Sequence, residues 1–288
     1  MSDTVKLNFS LKSDADLRAM HDTRWIFRKV VHLALSFFRQ AKYTLAFSYR
    51  RFTEPSPLLK DHKCEWKSNT KALIVLIHGL RSDPVAWNSQ LNLLKEQEQI
   101  DVFAPVVPNR GMCSLKSASN PIFKKLKDYA NTNPGKPICI MGVSNGSRIA
   151  THLEVKLRKH APATPVRVST IAGVHLGSSR MGLVKALGLA KFFYPTELMD
   201  ELSYKSKCSV TLLNRVKTQL PEACAKRSYE FFATTEDQSV PDLDSSLPSL
   251  NLKEKIWILH GHSHDSIVPA VANQQVKGCI DWIGSLTQ

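Results

Sequence analysis

The 288-residue chain predicts an α/β fold: a doubly wound, mostly parallel sheet with a helical cap insertion. Three observations carry this. Short, continuous apolar runs such as "ALIVLI" and "ICIMGV" suit strands buried on both faces of a parallel sheet. Helical stretches alternate with those runs at the spacing of βαβ units. Between about residues 177 and 224 the alternation stops, and "SRMGLVKALGLAKFFYPTELMDELSYKSK" is helical and amphipathic, as a cap over the sheet edge would be.

Taken in order, residues 1–24 are polar and expected to be irregular, and residues 25–288 to form the α/β domain. From Arg24 to Phe47, apolar residues including Val30, Val31, Ala34, Phe37 and Phe38 recur at near-helical spacing, with Arg28, Lys29, Arg39 and Lys42 among them. Such a stripe is expected to pack on the core; the alternative is that it lies on an anionic membrane. "KALIVLIHG" is the first buried strand, followed by a helix from about Pro84 to Glu98. "IDVFAPVV" is the next strand, and "NPIFKKLKDYANT" a helix with Asn120 as its cap and Pro121 in its first turn. "PICIMGV", "TPVRVSTIAGV", "YEFFATT" and "KIWILHG" supply further strands, and "NGSRIATHLEVKLRKH" and "VPAVANQQVKGCIDWIG" further helices.

With 43% hydrophobic and 22% charged residues, the composition supports a sizeable core and argues against disorder. No apolar run approaches the roughly 20 residues of a membrane span. The N-terminus lacks the charged-then-apolar pattern of a signal peptide, so a cytoplasmic location is expected, with membrane association as an option. The six cysteines form no C-x-x-C pair, which leans towards a reducing compartment and leaves a Cys208–Cys224 bridge open. The formal charge of +14 predicts attraction to an anionic surface, such as phospholipid headgroups. No nucleic-acid recognition motif accompanies it, which disfavours that partner. Nothing in the pattern specifies an oligomeric state.

Gly142-Val143-Ser144-Asn145-Gly146 fits G-x-S-x-G between a predicted strand and a predicted helix, the context in which that motif carries meaning. A nucleophile on such a turn occupies strained backbone, so glycines are needed where a Cβ would collide. A serine hydroxyl also needs a base, and the base an orienting acid. Asp237 falls just beyond "YEFFATT", and His260, His262 and His264 lie at or beyond the end of "KIWILHG". This is the order serine, acid, histidine, at the sheet edge where open α/β folds build their sites. The N–H of Asn145 and that of Leu80, after His78-Gly79, are candidate oxyanion donors. His78 lies upstream of the serine and is read as shaping its loop.

"LIHGL", "GVSNG", "EDQSVP" and "HDSIV" together resemble the α/β-hydrolase superfamily over roughly residues 71 to 285, the cap apart. "TIAGVHLGSS" is similar to a segment of many lipases and narrows the likeness towards lipases and esterases. The resemblance implies Ser144 as nucleophile, Asp237 as acid, His264 as base, and Leu80 and Asn145 as oxyanion donors. It makes His175 structural and implies no cofactor. Val143 and Ser147 depart from the pattern, where many lipases have histidine and glycine. His262 is the reserve base, His260 is assigned to the strand, and Asp242 or Asp244 could replace Asp237. A rival likeness, of H-x-H-x-H-D to the metal-ligand run of metallo-β-lactamase-like hydrolases, is weakened by the absence of any histidine after His264. The function expected is hydrolysis of a lipid or acyl ester through an acyl-enzyme. The alternatives are a thioesterase and an inactive fold used for membrane or protein binding.

Overall fold

The computed structural model describes residues 5–7, 26–53, 70–186, 194–218, 226–250 and 254–286. Its strands are β1 (Val5–Leu7), β2 (Ala72–Ile77), β3 (Ile100–Phe103), β4 (Ile138–Val143), β5 (Val166–Ile171), β6 (Arg227–Thr234) and β7 (Glu254–Leu259). They form one sheet of order β1-β7-β6-β5-β4-β2-β3. β2 to β7 are mutually parallel, and β1 pairs antiparallel with β7, Val5 opposite Ile258. β2, β4 and β5 are buried along their whole length, as their unbroken apolar runs predict.

Alternate strand residues feed two cores. Leu73, Val75, Ile77, Ile138 and Ile140 pack under α3 (Leu115–Thr132), α4 (Asn145–His160) and α7 (Lys207–Thr218). Ile74, Leu76, Cys139 and Met141 face Trp87 with α2 (Asn88–Leu94), and Val276 and Trp282 of α10 (Ala272–Gly284). The strand order reverses around β2 and β4: the chain passes from β2 out to β3, then returns to place β4 on the other side of β2. The crevice at the carboxyl ends of such strands is where open α/β folds bind ligands.

Several expectations are corrected. Most of residues 1–24 lies outside the described residues, but Val5–Leu7 is an edge strand where irregular chain was expected. It covers the hydrogen-bonding groups that β7 would otherwise leave exposed. The helix placed at Pro84–Glu98 starts as a 3₁₀ turn, Pro84–Trp87, capped by Asp83, whose side chain accepts the Val85 N–H at 3.0 Å; α2 then ends at Leu94. The helix assigned to Asn120 onward begins at Leu115 with Ser114 as its cap, so Pro121 is interior. His260 lies just past β7. Cys208 is a free thiol facing Arg148, and Cys224 lies outside the described residues.

The largest correction concerns helix α1 (Ile26–Thr53). Its apolar stripe does not pack on the core: Phe37, Phe38 and Leu45 are 67%, 71% and 72% exposed, whereas Ser36 is buried. No helix among the described residues is long and apolar enough to cross a membrane.

Between β5 and β6 the chain forms α5 (Ser179–Ala186), α6 (Thr196–Leu202) and α7. α7 joins the layer behind the sheet, against α4. Two short helices, α8 (Leu243–Ser246) and α9 (Ile267–Ala270), complete the chain.

A buried ionic cluster ties α4 to the sheet. The fully buried Glu154 accepts from Arg158 Nε at 2.6 Å, Arg227 Nε at 3.0 Å and the Tyr229 hydroxyl at 2.5 Å. Removing one partner of a buried pair strands the other's charge. Glu154→Ala is therefore expected to destabilise the fold by about 3–5 kcal/mol, read as a lowered urea midpoint.

Candidate active site

β4 ends at Val143 and α4 begins at Asn145, leaving Ser144 on the turn with φ 55° and ψ −125°. A non-glycine residue held there carries strain of about 1–3 kcal/mol, typical of functional positions. The turn is fixed from both sides: Ser144 N–H donates to Ile171 O at 3.0 Å, and Ser144 O accepts from Ser147 N–H at 3.0 Å. A Cβ at Gly146 would lie 2.1 Å from Ile77 O, one at Gly142 2.5 Å from Gly146 O, and one at Gly79 2.9 Å from Ser144 Cβ. The glycines are what let α4 begin against the end of β2.

Asp237 and His264 meet in the loops after β6 and β7. His264 Nδ1 is 2.7 Å from Asp237 Oδ2, while Asp237 Oδ1 accepts the N–H groups of Ser239 and Val240, both at 2.8 Å. Burial works to lower the His264 pKa, but the charge and hydrogen bond of Asp237, with Asp265 beyond, outweigh it and raise the pKa to about 9. The alternative acids are engaged elsewhere: Asp242 accepts Ser179 N–H at 2.7 Å, and Asp244 the Tyr204 hydroxyl at 2.6 Å.

Ser144 and His264 line one cavity of about 510 Å³, within the range of small-molecule sites. Leu80 lies on its wall, and Asn145, the first residue of α4, is buried directly behind the serine. Met181 and Val184 of α5 and Leu202 of α6 supply much of the apolar wall opposite. Among the described residues of the insertion, α5 and α6 therefore face the cavity.

The reserve base does not share this cavity. His262 lines a neighbouring one with Arg39 and Phe47 of α1, and its pKa is lowered, first by burial and then by Arg39. Past Gly261 (φ 71°) the chain enters a turn at residues 264–266, and His262 and His264 line different cavities. The three histidines do not converge on one point. His260 Nδ1 lies 2.8 Å from Thr235 Oγ1, and its ring stacks on His32 at 5.3 Å. His32, Glu236 and His260 do place ligand-type atoms within 4.8 Å of one another. Glu236, however, already accepts Gly261 N–H at 2.6 Å and the Thr235 hydroxyl at 2.6 Å, so the group fits a clasp between α1 and the histidine loop.

His78 is buried with both ring nitrogens occupied, Nδ1 at 2.8 Å from Gly79 O and Nε2 accepting Val107 N–H at 3.0 Å. Burial lowers its pKa, so the neutral ring braces the loop that carries Leu80. His175 is equally buried, between Thr170 and Thr151, with its pKa lowered to about 3 by burial and by Arg148.

Sequence reasoning missed one pair: Arg148, fully buried on α4, reaches Glu201 of α6 at 3.4 Å and Asn145 Oδ1 at 3.3 Å. Glu201 also accepts Leu115 N–H at 2.8 Å and so joins the insertion to the starts of α3 and α4. A charged residue four places after Ser144, in a helix buried along that stretch, was the available signal.

No protein-family model and no curated protein matches this sequence. Solved structures do. With the metagenome-derived lipolytic enzymes LipS and LipT, 80% of this chain and 98% of the other align at 11% identity and a TM-score of 0.58. With the peroxisomal α/β-hydrolase Lpx1 of Saccharomyces cerevisiae the shares are 78% and 81%, at 14% identity and a TM-score of 0.52. With phospholipase PlaB of Legionella pneumophila, 57% of this chain aligns at 12% identity and a TM-score of 0.44, spanning 37% of that protein.

The chain has the α/β-hydrolase fold.

In this α/β-hydrolase fold the turn at Ser144 depends on the close approach at Gly146. Gly146→Ala should cost about 3 kcal/mol, the upper end of the usual overpacking range, since the colliding atom is a backbone carbonyl. Gly182→Ala, in α5 where a Cβ would meet nothing within 4 Å, should be neutral or stabilise by up to about 1 kcal/mol. Chemical denaturation of the two variants in parallel checks the contrast.

Proposed function

We propose that the protein is a serine hydrolase that cleaves a carboxylic ester of a lipid or other acyl compound. The observation that carries this reading is that a serine on a strained strand–helix turn and a carboxylate-paired histidine open onto one largely apolar cavity. The overall likeness to structures of lipolytic enzymes supports it at the level of the fold.

In this reading Ser144 Oγ attacks the ester carbonyl carbon as its proton passes to His264 Nε2. Asp237, on the Nδ1 side, holds the ring in place and stabilises the imidazolium that forms. The N–H groups of Leu80 and Asn145 stabilise the oxyanion, the latter helped by the positive end of α4. Collapse expels the alcohol, which takes its proton from His264. Water, deprotonated by the same nitrogen, then attacks the acyl-enzyme, releases the acid and restores Ser144. Apolar side chains from α5 and α6 suit an acyl chain, and these helices would act as a lid.

A fluorophosphonate probe should label the wild-type chain and not Ser144→Ala, which should lose ester turnover by about 10⁶-fold. Absence of labelling in the folded wild type would overturn the reading. The pH dependence carries a definite sign. His264 accepts a proton only when neutral, so activity falls as it protonates. Because its folded pKa is raised, kcat/KM should climb with pH through a midpoint well above 6.5, towards about 9. Asp237→Asn should move that midpoint down while lowering the rate by about 10⁴-fold. A pH–rate profile of both proteins on a soluble short-chain ester measures this.

A further inference from the structure

Helix α1 is amphipathic in the reverse of the usual sense. A helix packed on a protein turns its apolar stripe inward and its polar face to water. Here His32, Ser36, Arg39, Gln40 and Tyr43, spaced by three and four residues, face the body. Val30, Leu33, Phe37, Phe38, Leu45 and Tyr49 lie on the exposed side, each more than half exposed. Such a run on a helix about 42 Å long exceeds the isolated exposed apolar residues normal on a surface.

The inward face is specific. Arg39 Nη1 donates to Gly261 O at 2.7 Å, Gln40 Nε2 to Asp265 Oδ2 at 2.9 Å, and the Ser263 hydroxyl to Gln40 Oε1. These contacts fix the rotation of α1, so its apolar side is held outward. Tyr43 meanwhile lines the cavity that holds Ser144 and His264, which puts α1 on that cavity's wall.

Charge selects the occupant. Besides Arg39, whose guanidinium is turned inward, the α1 sequence contains Arg28, Lys29, Lys42, Arg50 and Arg51 and no acidic residue, in a chain of formal charge +14. A second copy would bring the same charges against these. An anionic lipid surface complements them, and its acyl boundary accepts the aromatic and aliphatic side chains. We infer that α1 docks flat on an anionic phospholipid bilayer through this outward face, holding the catalytic cavity against the membrane. Docking stands without the proposed hydrolysis; drawing lipid esters from the bilayer into the cavity rests on it.

The test is flotation with vesicles, using full-length wild type, Ser144→Ala and a Phe37→Asp/Phe38→Asp double variant. Wild type and Ser144→Ala should both float with vesicles of equal parts phosphatidylcholine and phosphatidylglycerol, and not with phosphatidylcholine alone. The double variant should bind at least about tenfold more weakly while keeping the wild-type melting temperature, because both side chains are exposed. Failure of the wild type to float with anionic vesicles, or equal binding by the double variant, overturns the proposal. So does a dimer, seen by sedimentation equilibrium, that the double variant dissociates and that binds no vesicle; the face would then belong to a second copy. Because Ser144→Ala is in the binding assay, loss of hydrolysis and loss of docking are read separately.

Discussion

The start of α4 runs so close to the end of β2 that Gly146 has room only for a hydrogen against the Ile77 carbonyl, and the rest of the site follows from that approach. With the helix pinned there, the link from β4 has one residue in which to change direction, and Ser144 takes the positive φ. The same contact sets the positive N-terminal end of the helix at the carboxyl ends of β2 and β4. Gly79, against Ser144 Cβ, and the braced ring of His78 then fix where Leu80 sits. Strain at the serine is offset by packing among parts that bear no chemistry themselves.

A second dependence runs through α1. The loop from His260 to Ser266 carries His264, and its outer side is held by side chains of α1 at Gly261, Ser263 and Asp265. Glu236 closes the arrangement by accepting Gly261 N–H from the chain position next to Asp237. The polar groups of α1 that would normally face water are spent on the histidine loop. This accounts for the inverted amphipathicity: orienting the loop and exposing the apolar stripe are one rotation of one helix.

The six parallel strands β2 to β7 and α4 were legible because burial on both sheet faces leaves an unbroken apolar run, which few other environments tolerate; the edge strand β1 carries no such run. The positions of Ser144, Asp237 and His264 at strand ends followed from the same runs. The orientation of α1 was not legible, because periodicity reports that a helix has two faces and not which one meets the protein. The start of α3 was missed because Asn120-Pro121 imitates a helix beginning, while Ser114, six residues earlier, caps it. His262 and His264 could not be separated by spacing, since residues two apart share a face only in extended chain, and the chain turns at residues 264–266. Arg148–Glu201 joins residues 53 apart, a distance at which no local pattern speaks.

The raised pKa of His264 bears on both halves of the proposed chemistry. A base with its pKa near 9 rests almost wholly protonated at neutral pH, which withholds it from attack on the ester in the proposed reaction. The same stabilisation of the imidazolium is present when the serine proton arrives, so the interaction that reduces the competent fraction also lowers the barrier for the molecules that are competent. Substrate in the cavity displaces water from beside the ring, and burial is the influence that lowers this pKa. An apolar acyl group therefore shifts His264 towards its neutral form on binding, whereas a small polar ester leaves the ring wet. In the proposed reaction the apolar walls supplied by α5 and α6 would do more than hold a chain: they would link recognition of an apolar substrate to the protonation state that its cleavage requires.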